Sequence, residues 1–464
     1  MLFNSLAFLC FFPVVVMAYW LLPNRFRNHM LLLASYYFYM NWKPAYALLI
    51  LFSTITTWGC GLMITKRVKS RKTWLVVCLT ANLGILFFYK YLNFATASIY
   101  GLLEMAGIKM DVPHFNLLLP VGISFYTFQA IGYTIDVYKK KISAEKNLLT
   151  YALFVSFFPQ LVAGPIERAK NMLCQFHVRH TFEGSIVING LRLMVWGYFM
   201  KLCVAENVAP YVDAVFNNLP NHNGTSILLA SFFFTFQIFC DFGGYSLIAI
   251  GAAKCMGFTL MENFNHPYLS TSMRDFWRRW HISLSSWFTE YVYIPLGGNR
   301  CSAIMHIRNL MLTMLLSGLW HGANWTFIIW GGYHGILLVL YHLKKKYLNI
   351  NTPQFLSIIF CFCLAWLGWI FFRVNNISDL FLALRKILFE KGALYMGEGK
   401  PMLAMSLLLI VLLMMKEIKD ERKWKLSFMS HSNLYISAFG TSIMLVIILL
   451  CGSFNGGQFI YFQF

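Results

Sequence analysis

Ser317-Gly318-Leu319-Trp320-His321-Gly322-Ala323-Asn324-Trp325 places one histidine among glycines and tryptophans, inside an apolar run from about Leu310 to Leu340. Such a run is long enough to cross a bilayer. A titratable side chain at that depth is expensive, and most face a cavity or a partner rather than lipid. Two readings are open for His321: a neutral ring hydrogen-bonded between helices, or a functional base. Ser317, Gly318, Gly322 and Ala323 are small enough to admit backbone or a thin ligand. Trp320, Trp325 and Asn324 have the shape and the donors to wall a narrow slot. That company favours a base in a groove.

The rest of the chain has the composition of a membrane protein. Of 464 residues 58% are hydrophobic, 18% aromatic and only 12% charged, with a mean hydropathy of +0.59; such a chain uses lipid as its solvent. The apolar segments are continuous, not alternating ten-residue strands, which excludes a β-barrel. The expected fold is all-α, a polytopic membrane protein of about 10 to 12 transmembrane helices plus re-entrant or interfacial ones, read as one domain over residues 1–464.

The net charge of +20 calls for no nucleic-acid partner, because cytoplasmic loops retain positive charge. The 11 cysteines are mostly scattered through apolar runs and suggest neither a metal site nor a disulfide framework. Met1 to Leu22, without a basic n-region or a small-residue cleavage site, reads as a retained first span.

Basic clusters set the orientation. Arg25 and Arg27, then Lys66 to Lys72, then Lys139 to Lys141 follow odd-numbered spans, which places those exits in the cytoplasm and the N-terminus outside. Asn41 to Pro44 and the segment from Phe94 to His114 read as the intervening outer loops. The short, Pro159-broken run from Leu148 to Ala163 suits a re-entrant hairpin. Lys344 to Lys346 return the His321 run (310–341) to its side of entry, with a bend expected at Gly331, Gly332 and Gly335; the later basic loop sends the C-terminus outside.

Three further stretches carry chemistry. Asp241, in Cys240-Asp241-Phe242-Gly243-Gly244-Tyr245, is a carboxylate within an apolar run, either a helix-packing hub or part of a substrate path. Residues 261–300 are too polar to span; Arg274, Trp277, Arg278, Arg279, Trp280 and His281 suit an interfacial amphipathic helix. Its arginines suit either membrane-lipid headgroups or the phosphates of a donor such as coenzyme A. The tail, 456–464, is aromatic with a single phenol, Tyr461, behind Gly456-Gly457, and suits an interfacial belt or an apolar groove.

No Gly-x-Ser-x-Gly elbow, phosphate loop or His-Glu-x-x-His pair occurs. A histidine is suited to taking the proton from a hydroxyl as it attacks a thioester, which needs no metal and no enzyme serine.

Pro120 to Phe128, Gln160 to Ile166, Asp241 to Tyr245, Arg274 to His281 and Gly318 to Gly322 resemble, in order, the motifs of the membrane-bound O-acyltransferase superfamily, and within it the bacterial alginate O-acetyltransferase-like branch. The resemblance implies His321 as the essential histidine at the narrow point of a central tunnel and His281 as the second. It implies a bacterial cytoplasmic-membrane protein with no bound cofactor, cytoplasmic acetyl-CoA as donor, an extracytoplasmic SGNH-type partner and a polysaccharide acceptor. Phe459 to Phe464 resembles an aromatic hexapeptide of this branch, which makes Tyr461 an acyl-relay candidate. The alternatives are D-alanyl transfer to teichoic acid and, in another class, a transporter or flippase of lipid-linked sugars.

Overall fold

The computed structural model describes residues 1–108, 110–162, 164–348, 352–424, 434–454 and 459–460. All regular structure among the described residues is helical, with no strand among them. Seven helices among them are long and apolar enough to cross a membrane, and Leu6–Leu21 and Tyr435–Cys451 are shorter apolar ones. The larger number expected from the sequence includes helices that are shorter or more polar, such as Ile123–Tyr138 and Ala303–His321. The chain forms two compact units: Met1–Val187 with Ala253–Met261, and Ile188–Ala252 with Glu262–Phe464.

In the first unit, the segment read as an outer loop from Phe94 to His114 begins as helix. Arg71–Leu86 runs through a π-helical turn, Phe87–Tyr91, into Leu92–Met105. The low charge of this stretch, used to place it outside, does not by itself end a helix. The Pro159-broken run forms Leu148–Ser156 and the short Phe158–Leu161, with the chain leaving helical geometry at Phe157. Proline in the first turn loses no intrahelical hydrogen bond, so the second piece starts there.

The second unit carries the candidate site. Gly184–Tyr198 continues through a seven-residue π-helical stretch, Phe199–Ala205, into Glu206–Phe216. It crosses Gly224–Cys255 at paired glycines: a Cβ on Gly244 would stand 2.6 Å from the Gly197 carbonyl oxygen. Any side chain there would force the helices apart, and with them Lys201 from Asp241.

Ala303–His321 and Trp325–Tyr347 pack against one another as a hairpin. Its turn is Gly322-Ala323-Asn324, not the expected bend at Gly331, Gly332 and Gly335. Asn324 caps the second helix by accepting from the Thr326 N–H at 3.1 Å. Gly331 instead serves the seam, where a Cβ would meet the Met314 carbonyl oxygen at 2.4 Å, and at Gly318 one would meet that of Phe327 at 2.2 Å. The glycines were legible as special positions; their role is contact.

Residues 261–300 hold no helix long enough to cross a membrane. Met273–Arg279 and Ile282–Phe288 are two short helices, followed by a π-helical turn, Thr289–Tyr293. Met273, Phe276 and Trp280 are buried while Arg274 and Arg278, one turn apart, are exposed, which is the amphipathic pattern expected.

Candidate functional site: two enclosed histidines and a docked tail

His321 is the last residue of Ala303–His321 and is buried. Its ring lies against Trp320, Trp330 and Phe372, with centroids at 5.1, 5.0 and 5.3 Å. Gly322 beside it is extended, and a Cβ there would stand 2.2 Å from the Phe327 ring. His281 caps Ile282–Phe288 in left-handed backbone, φ 44°, a conformation uncommon outside glycine and enriched at functional sites. The two imidazole centroids are 6.4 Å apart. Sequence reasoning nominated both residues, and the fold brings them together across 40 residues of chain (321 − 281).

Asn263, which sequence reasoning missed, orients His281. Its Oδ1 accepts from His281 Nδ1 at 3.0 Å and from Ser283 Oγ at 2.9 Å, while its Nδ2 donates to Ser246 Oγ at 3.1 Å. Because Oδ1 only accepts, Nδ1 carries the proton and Nε2 holds the basic lone pair in the neutral ring. Burial drives the pKa of His281 down to about 3, so the ring is neutral at ordinary pH.

Around the histidines lies an aromatic box. Trp280 meets Trp369 at 4.7 Å, Trp369 meets Trp330 at 5.9 Å, and Trp330 meets Trp277 at 5.6 Å. His334, fully buried, sits 4.8 Å from Trp330 and 5.1 Å from Trp277. Among the described residues, the indole N–H groups of Trp277, Trp280, Trp330 and Trp369 and both ring nitrogens of His334 have no hydrogen-bond partner. Buried donors are normally satisfied, so this box is chemically fitted to water or to a ligand with polar atoms. Proton acceptors beside unspent N–H donors are what addition to a carbonyl requires: a base for the attacking hydroxyl and donors for the oxyanion.

Asp241 lies in an ion cluster. Lys201 Nζ stands 2.5 Å from Asp241 Oδ1 and 2.5 Å from Glu206 Oε1, and Lys201 and Asp241 are buried. The second Asp241 oxygen accepts the backbone N–H of Ile460 at 2.7 Å. Phe459, fully buried, packs 4.7 Å from Tyr245 and, edge-on, 5.7 Å from Phe242, which meets His281 edge-on at 4.6 Å. Lys201 and Glu206 were missed, although a lysine and a glutamate within an apolar run were a readable signal. Tyr461 lies outside the described residues.

The remaining nominated residues separate. Ser317 and Trp320 are buried beside His321. Asn324 is committed to capping and to the Asn375 carbonyl, at 2.6 Å. Arg279 is paired with Asp275 at 3.0 Å and Glu421 at 2.9 Å, whereas Arg274 and Arg278 are exposed. A cavity of about 950 Å³ opens beside the start of their helix, lined in part by Ser272, Met273, Lys344, Tyr347 and Phe360.

A helical membrane protein enclosing two histidines among unspent N–H donors has the groups that acyl transfer requires. Residues 139–378 match the membrane-bound O-acyltransferase family, and the chain belongs to that family; it is a multi-pass membrane O-acyltransferase. It is 42% identical to the probable alginate O-acetylase AlgI of Pseudomonas aeruginosa, over 82% of this chain and 73% of that protein. It is 35% identical to the peptidoglycan O-acetyltransferase of Helicobacter pylori, over 83% of this chain and 79% of that protein. It is 30% identical to the teichoic acid D-alanyltransferase of Bacillus subtilis, over 51% of this chain and 62% of that protein. The transporter alternative falls with family membership.

Proposed function

We propose that the protein takes an acetyl group from cytoplasmic acetyl-CoA and passes it across the bacterial cytoplasmic membrane for O-acetylation of an exported or cell-wall polysaccharide. The observation that carries this reading is the tail: Phe459 and Ile460 are bonded and packed within the ring layer that contains His281. Tyr461 is the next residue. Extracytoplasmic termini and an SGNH-type partner that completes delivery to the sugar belong to the same reading.

In this scheme His321, with His281 beside it, takes the proton of the Tyr461 phenol as its oxygen attacks the thioester carbonyl. The C–O bond forms, the C–S bond breaks, and the proton ends on the departing thiol, giving O-acetyl-tyrosine and free coenzyme A. A phenol and a thiol have comparable acidities, about 10 and 8.5, so the acetyl group stays activated for a second transfer to a sugar hydroxyl. Exposed Arg274 and Arg278 receive the donor phosphates, and the cavity beside the start of their helix receives the thiol arm.

A D-alanyl group delivered by a carrier protein is the second reading, favoured only by the D-alanyltransferase match over half of the chain. Vesicle-reconstituted protein offered each donor separately distinguishes the two. Thiol release from acetyl-CoA, absent in His321→Ala, is expected; release from a D-alanyl carrier alone would replace acetylation by the second reading.

A further inference from the structure

The ion cluster at Lys201 has no role in the transfer step just described, yet two carboxylates and one ammonium held within the bundle need a reason. Burying such a group rarely adds stability over apolar packing, and removing one partner strands the others. The fold also makes local concessions to it. Lys201 sits within a π-helical stretch, Phe199–Ala205, and such insertions are frequent at functional sites. The Gly197–Gly244 crossing brings the two helix backbones close: a Cβ on Gly244 would stand 3.1 Å from the Lys201 backbone nitrogen.

Two carboxylates face one ammonium, so the cluster keeps acceptor capacity after Lys201 is satisfied. That capacity is directed at a backbone group: Asp241 Oδ2 takes the Ile460 N–H at 2.7 Å. A backbone contact reads register, not side-chain identity. The preceding residue supplies the side-chain contact, with Phe459 lying against both Tyr245 and Phe242 on one helix face.

We propose that Lys201, Glu206 and Asp241 form a docking site for the C-terminal aromatic segment, in which an anchored carboxylate receives the Ile460 amide and an aromatic face receives Phe459. The three are positioning residues: they set the register in which Phe459 and Ile460 are held. The functional meaning of the site rests on the relay reading, in which Tyr461 follows the anchored amide. The docking itself does not, and is measured with no acyl donor present.

The test is hydrogen exchange at the Ile460 amide in the full-length protein, resolved by fragmenting the C-terminal peptide. Wild type should protect this amide relative to a free peptide of the same sequence. Asp241→Ala should exchange about 10- to 100-fold faster, the range expected for losing a hydrogen bond to a charged acceptor. Asp241→Asn, which keeps an oxygen in place, should recover part of the protection, a rescue that a merely structural role would not give. Protection of Ala303–His321 reports whether the bundle is intact. If Asp241→Ala loses it, Phe459→Ala, which leaves every buried charge in place, decides the matter and should also speed exchange. Unprotected Ile460 in wild type, or unchanged protection in Asp241→Ala with an intact bundle, or in Phe459→Ala, would overturn the proposal. Failure of acetyl transfer would leave these results untouched.

Discussion

Asn263 holds His281 by a 3.0 Å hydrogen bond at Nδ1 and thereby selects which nitrogen of the second histidine can accept a proton. The same oxygen takes the Ser283 hydroxyl, and the amide end is tied to Ser246, so the asparagine cannot turn over without breaking three contacts. Asn263→Ala should lower the acyl-transfer rate by roughly 10- to 100-fold, the scale on which losing the partner that orients a ligating histidine is felt. Steady-state assay of thiol release checks this, with the yield of folded protein as the control; a rate within twofold of wild type would mean His281 needs no such partner.

Gly322 sets the packing at the hairpin turn. With a Cβ there only 2.2 Å from the Phe327 ring, Gly322→Ala should destabilise by about 1 to 3 kcal/mol through overpacking and displace His321. Adding Phe327→Leu should restore part of both stability and activity. Thermal unfolding of the single and double variants reads the effect.

The arginines should divide by their partners. Arg274→Glu and Arg278→Glu, on the exposed face, should raise the Michaelis constant for acetyl-CoA by ~10-fold at low salt, less as salt is added. Arg279→Glu should act mainly on stability, because Arg279 already engages Asp275 and Glu421. Equal Michaelis constants in all three variants and wild type would return this patch to lipid anchoring.

Glu167, in the first unit, adds a pH dependence. Burial pushes its carboxyl up to about 7, against the opposing pull of the Met261 and Arg168 N–H groups and the Arg168 charge. The folded form then binds a proton that the unfolded chain releases near 4.5. Stability from this group is present below that value and is lost as pH rises towards 7. Glu167→Gln should flatten the unfolding temperature between pH 4.5 and 7; an unchanged slope would assign the dependence elsewhere.

Periodicity and chemistry made much of this legible in advance. A histidine among glycines and tryptophans in an apolar run marked His321, and the Arg-Trp segment marked a short amphipathic helix, Met273–Arg279. The partners were harder. Asn263 sits in an ordinary polar stretch with nothing to mark it as the acceptor for a residue 18 positions later. Lys201 was different: a charged residue in an apolar helix predicts a partner, and Asp241 was already in view. The bend placed at Gly331, Gly332 and Gly335 failed because small residues serve close helix contact as well as turns.

The most direct measurement uses sealed proteoliposomes, with labelled acetyl-CoA supplied to the face bearing the basic loops and the C-terminal peptide analysed by mass. Label on Tyr461 in wild type and none in His321→Ala is the predicted result. Coenzyme A released with Tyr461 never labelled, or equal labelling in the His321 variant, would contradict the account.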